Sequence, residues 1–197
     1  MRLLFVQPVV SHVRYQRRLE MLEEQGATVE IVSFDRDYYA GRDINRGYVS
    51  LGYLEHGQYF KRIPLLGRAL KTVRRHLRGC HVVYTFGLDM AILALVARIG
   101  IRPRPRLVYE VGDIVEVFLR PGLAARAWRK LEGLLLDRSD LLVSTSEAFI
   151  REYFEPVHRD RLPATLVIEN KPKLAGSIKA ENELRSSTSA TGCLRCA

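Results

Sequence analysis

Short apolar runs alternate with longer stretches of helical periodicity along most of this chain, and that alternation narrows the fold more than any other feature. Residues 3–6, Leu-Leu-Phe-Val, form a continuous apolar run checked by Pro8, and Tyr15, Leu19 and Leu22 then recur at helical spacing until Gly26. Further strands are predicted at residues 28–34, 49–54, 81–85, 106–110, 140–143 and 164–169, and helices at 64–78, 88–99, 121–137 and 144–154. Strands that are apolar on both sides are buried on both sides. The pattern therefore predicts an α/β fold with a Rossmann-like, mainly parallel sheet, helices on both faces and right-handed crossovers.

The helix at 64–78 carries two stripes. Leu66, Leu70, Val73 and Leu77 face one way, and Lys71, Arg74, Arg75 and Arg78 the other. The net charge of +9 adds weight to the second stripe, which is read here as a membrane-facing basic surface for anionic lipid, with a solvated helix face as the other reading. Aromatics are not interleaved with these charges, so nucleic acid is not an expected partner.

The longest apolar run, Met90 to Ala97, is far shorter than a membrane span, and the first residues read as a buried strand rather than a signal peptide. A cytoplasmic protein is expected, with peripheral attachment to the inner face of the membrane if the basic stripe binds lipid. Three cysteines, two of them in the isolated Cys193-x-x-Cys196, suggest neither a disulfide framework nor a metal site, and no cofactor is expected.

In an open parallel sheet, ligands bind beyond the carboxyl ends of the strands, where strand order reverses. The stretches 7–12, 85–89, 110–116 and 144–147 end there. Asp113 is the candidate catalytic residue, because a carboxylate on a strand-end loop can orient a hydroxyl or accept its proton; a turn-forming or capping aspartate is the alternative. His12, Glu110, Thr145 and Ser146 are candidate acceptor-binding residues. For His12 the competing role is a cap, and for Glu110 it is pairing with an arginine. Ser144 and Glu147 have the spacing of a capping box, which leaves Thr145 and Ser146 as the spare contacts. A nicotinamide-binding domain is disfavoured, since residues 7–12 contain no glycine to let the backbone approach a pyrophosphate.

Four segments carry a family resemblance: Val13 to Val32 after the opening strand, His81-Val-Val-Tyr-Thr-Phe-Gly-Leu-Asp89, Leu107-Val-Tyr-Glu-Val-Gly-Asp113, and Asp140-Leu-Leu-Val-Ser-Thr-Ser-Glu-Ala-Phe149. In this order they resemble the amino-terminal domain of family-four GT-B glycosyltransferases, over residues 1–172. The resemblance implies transfer of a sugar from a nucleotide sugar, with retained configuration, to a glycan or lipid-linked acceptor in polysaccharide assembly. It also implies that this domain holds the acceptor, while a second domain holds the nucleotide sugar. Two departures stand out. The first loop lacks the glycines of many relatives, and Gly112 stands where relatives often place a histidine beside the aspartate.

Beyond Pro172 the composition turns small, polar and charged, which predicts a disordered or aberrant tail over residues 173–197 and a truncated enzyme lacking its donor domain. Whether the chain is itself an active enzyme is left open at this point. The competing functional class is a non-catalytic sugar- or membrane-binding module.

Overall fold

The computed structural model describes residues 1–35, 46–53 and 62–169. The expectations for the segment beyond residue 172 and for Cys193 and Cys196 lie outside the described residues.

Seven strands form one parallel sheet: β1 Arg2–Gln7, β2 Thr28–Asp35, β3 Val49–Tyr53, β4 Val82–Phe86, β5 Arg106–Val111, β6 Leu141–Ser144 and β7 Ala164–Val167. Their order is β3-β2-β1-β4-β5-β6-β7. The chain thus grows outward from β1 in one direction, then returns to lay β4 against the other side of β1. This is the Rossmann-like arrangement that the alternating pattern predicts.

The helices are α1 Val13–Glu24, α2 Arg62–His76, α3 Gly87–Ala97, the short α4 Glu116–Leu119 and α5 Leu123–Leu136. A last helical run begins as α6 Glu147–Phe149, widens into a π-helical turn at Ile150–Phe154 and continues as α7 Glu155–His158. It extends past residue 154, where the sequence pattern ended the helix, with Pro156 placed directly after the π-helical turn at the start of α7. The turn α4 is absent from the sequence reading; four residues are too few to show a periodicity.

Alternate side chains of the central strands divide the core in two. Leu4 and Val6 of β1 pack with Val73 of α2 and Leu77 just after it, with the body of α3, and with Leu135 and Leu136 of α5. Leu3 and Phe5 point to the other face, where Leu19 of α1, Ile31, Tyr84 and Val108 meet them. Phe5 stacks on Tyr84 at 5.2 Å between ring centroids. Burying one such side chain is worth about 1.5–3 kcal/mol, so the two clusters supply most of what holds the layers together.

α3 is apolar nearly all round because it lies between α2 and α5 and packs on both. Its C-terminal carbonyls are closed by Arg74, whose Nη1 donates to Ala97 O at 3.0 Å and Ile99 O at 2.5 Å. Arg74 is therefore turned onto α3 and does not stand with the other basic residues of α2. Lys71, Arg75 and Arg78 are exposed.

Candidate functional site

The strand order reverses between β1 and β4, so the crevice lies where their carboxyl ends release the segment after Gln7 and the start of α3. A cleft of about 290 Å³ opens there, and Asp113, Arg14, Tyr15, Phe86, Asp89 and Gly112 line it. Tyr15 and Phe86 form one apolar wall, with ring centroids 4.1 Å apart. Gly87 holds φ at +78°, a left-handed turn that brings the chain from β4 straight into α3.

Asp113 follows β5 by two residues and is exposed. The cap position of α4 is Val115, with no side-chain cap bond, so Asp113 does not cap that helix. Its carboxylate makes no hydrogen bond or ion pair among the described residues. Such a carboxylate at the mouth of a cleft is free to take a hydroxyl.

Arg14 reaches the same cleft from the first turn of α1. Its guanidinium lies across Gly112: a Cβ built on that glycine would overlap Arg14 Nη1 and stand 2.8 Å from Cζ. Any side chain at residue 112 would have to displace the arginine.

The other expected residues separate. His12 is the N-cap of α1, its Nδ1 accepting from Arg14 N at 3.2 Å, and it packs on Tyr15. Glu110 is fully buried on the α1 side of β5. Its Oε2 accepts from Arg18 Nε at 2.9 Å and its Oε1 from Arg18 Nη2 at 2.7 Å, while the Tyr84 hydroxyl also donates to Oε2. Burial pulls the Arg18 guanidinium down, but its bonds to Glu110 and the charges around it outweigh that and hold it above its usual range. Burial, then the Glu110 charge, pushes Tyr84 well above the ordinary phenol. With three donors on it, Glu110 is spent on structure.

The capping box does not form. Ser144 is the buried last residue of β6, and its Oγ donates to Ser146 O at 2.8 Å. The cap is Ser146, whose Oγ accepts from Ala148 N at 3.2 Å, and Glu147 turns outward to pair with Arg151. The helix starts two residues later than the motif suggests because the strand holds Ser144 in the sheet. Thr145 Oγ1 donates to Gly112 O at 3.4 Å, so it braces the loop carrying Asp113 from behind.

Sequence reasoning missed Arg14, Asp89 and a buried hub at the cleft's inner wall. There Glu132 accepts from Tyr109 Oη at 3.2 Å and Tyr153 Oη at 2.6 Å, with His158 Nε2 at 2.9 Å. Burial first, and the neighbouring carboxylate next, pushes both phenols far above their usual range. The signal for Glu132 was present: it shares the inward stripe of α5 with Ala125 and Leu136, where a lone acid must find donors. Gln7, at the carboxyl end of β1, is wholly buried, and neither amide atom has a hydrogen-bond partner among the described residues. Among the described residues no three His, Cys, Asp or Glu side chains cluster as a metal would require.

A doubly wound parallel sheet with its cleft at the switch point is the architecture of nucleotide- and sugar-handling α/β domains. The Glycosyl transferase 4-like domain matches residues 11–167, and the chain belongs to that family. It is 29% identical over 175 residues to the succinoglycan biosynthesis protein ExoL of Rhizobium meliloti (strain 1021), covering 87% of this chain and 43% of that protein. The chain thus spans less than half the length of that curated relative.

Among solved structures, sucrose-phosphate synthase from Thermosynechococcus elongatus superposes with a TM-score of 0.59 at 14% identity, over 92% of this chain and 53% of that one. Anabaena HepE, solved with UDP and glucose, gives 0.54 at 15% identity, over 96% of this chain and 50% of that one. These likenesses establish the fold, that of a GT-B amino-terminal domain.

Proposed function

We propose that residues 1–172 are the acceptor-side domain of a sugar transferase of polysaccharide assembly, which receives a sugar from a nucleotide sugar held by a second domain. The acceptor is a glycan or a lipid-linked glycan. The observation that carries this reading is Asp113, an unengaged carboxylate at the mouth of the switch-point cleft. There it can hold the acceptor hydroxyl and take up its proton as that oxygen bonds to the anomeric carbon and the bond from this carbon to the donor phosphate breaks, the nucleotide leaving. The family membership and the likeness to a succinoglycan biosynthesis protein support the reaction class.

The test is binding of acceptor glycans to the 197-residue chain by ligand-observed NMR, with Asp113→Asn beside the wild type. Acceptor binding that weakens in the variant supports the reading. Acceptor binding indifferent to residue 113, or efficient transfer by this chain with nucleotide sugar and acceptor alone, refutes it.

A second reading, attachment to an anionic lipid surface on the cytoplasmic side, is favoured by α5. Its outward face is apolar: Leu123 is 81% exposed, Trp128 44%, Leu134 40% and Leu131 37%. Between residues 117 and 136 the one acid is Glu132, which is buried, whereas Arg126 and Lys130 are exposed beside the leucines. An apolar stripe flanked by cations matches a membrane interface. Lys71 and Arg75 lie on α2 and Arg78 in the turn after it, in the same helix layer. Among the described residues no helix is long and apolar enough to cross a membrane. Flotation with phosphatidylglycerol vesicles tests this: Leu123→Ser with Leu134→Ser should abolish binding, and Arg75→Gln with Arg78→Gln should weaken it at low salt. Unchanged flotation in both pairs removes the membrane role.

A further inference from the structure

The cleft contains one feature that acceptor binding through Asp113 does not use. Arg14 lines it, yet the guanidinium makes no hydrogen bond or ion pair among the described residues. Of the other arginines that are buried or half-buried, Arg18 is spent on Glu110, Arg46 on Glu23, Arg74 on α3, Arg98 on Pro105 O and Arg129 on Phe118 O, while Arg17 does not line the cleft. Gly112 leaves open the space that Arg14 occupies. Its backbone is not in the left-handed region, so conformation does not demand a glycine there. Room for the arginine is what residue 112 provides.

We infer that Arg14 is the specificity-determining residue of this cleft and holds an oxyanion, a carboxylate or a phosphate, on the acceptor. This rests on the acceptor reading proposed above. A guanidinium presents paired N–H donors in a plane, which fits two oxygens of one acid group and does little for a lone sugar hydroxyl. The wall of Tyr15 and Phe86 keeps water from one side and strengthens the contact.

The remaining charges of the cleft set the orientation. Asp113 and Asp89 repel an acid group, and Asp89 Oδ1 already accepts from Met90 N at 3.0 Å. The acid end therefore seats on Arg14, and the hydroxyl end is left to Asp113. Glu132, at the inner wall, is covered by its tyrosines.

Two variants separate this role from simple packing. Arg14→Gln removes the charge. Gly112→Ala keeps it but drives the guanidinium from its seat, at small cost to the fold because the group displaced is the end of a flexible side chain. The probes are glucuronate, glucose 6-phosphate and glucose, titrated into the 197-residue chain and followed by ligand-observed NMR, with thermal melts as a folding control.

Both variants should lose about tenfold or more in affinity for a charged probe and keep that for glucose, with melting unchanged. Arg14→Lys should recover part of the loss. Preference for glucuronate identifies a carboxylate, preference for glucose 6-phosphate a phosphate, and either supports the inference. Charged probes that bind Arg14→Gln as they bind wild type, or glucose binding that falls equally, overturn it while leaving the acceptor reading intact. A wild-type chain that binds none of the three overturns both.

Discussion

Glu110→Gln asks whether the carboxylate at the end of β5 is spent on structure. The side chain is 0% exposed and its Arg18 partner 5%, and two hydrogen bonds of 2.7 and 2.9 Å join them. Gln keeps the shape and removes the charge, which leaves a guanidinium in the space between α1 and the sheet with no counter-ion. Breaking a buried pair from one side costs about 3–5 kcal/mol. Gln still offers one oxygen to Arg18, so the lower end, about 3 kcal/mol, is expected. In a domain whose whole stability is on the order of 5–15 kcal/mol, that is a large share. It corresponds to a fall in Tm of roughly 6–12 °C at about 2–4 °C per kcal/mol for a chain of this size.

Replacing both partners with apolar residues, Glu110→Leu with Arg18→Met, should return most of the loss, because no charge is then stranded. The assay is thermal and urea unfolding followed by circular dichroism on the wild type, both singles and the double. A Glu110→Gln chain that melts within about 2 °C of wild type would mean the pair is hydrated, and the assignment of Glu110 to structure would fall.

Gln7→Leu should leave stability unchanged or raise it by about 1 kcal/mol, since it removes two buried polar atoms that lack partners among the described residues; a loss above that, seen by urea unfolding, would show that the amide is satisfied. Arg74→Met should cost about 1 kcal/mol in melting by freeing the carbonyls at the end of α3, while Arg75→Met costs less than half of that.

Alkaline stability follows from Tyr84, Tyr109 and Tyr153, all held neutral in the fold by burial and adjacent carboxylates. Unfolded tyrosine ionises near pH 10, so above that point the unfolded chain holds fewer protons and stability falls as pH rises. The slope is about 1.4 kcal/mol per pH unit per tyrosine, and tyrosinate absorbance should appear with unfolding rather than before it. Tyr153→Phe should flatten the slope by about a third. The Cys80 thiol, raised by burial, should resist maleimide until the chain unfolds.

What the sequence determined by itself is the sheet and its layers. Runs such as residues 3–6 and stripes such as Val73 and Leu77 carry their period within a few neighbours, so they show the strands, the helices and the parallel architecture before any contact is known. The position of Asp113 beside the cleft was legible as well, because ligand clefts in such a sheet open at the carboxyl ends of its strands.

The tertiary structure decided which polar residues are free. Ser144 and Glu147 have the spacing of a capping box, yet the sheet holds Ser144 as its own and Ser146 takes the cap. Arg74 belongs to the basic stripe by period but is claimed by α3, and Glu110 shares a strand end with Asp113 but is claimed by Arg18. Arg14 and Gly112 are far apart in the chain and meet only because β4 bridges β1 and β5 in the sheet. Periodicity follows from burial along a local segment. Whether a charge is paired depends on which distant residue the fold brings within reach.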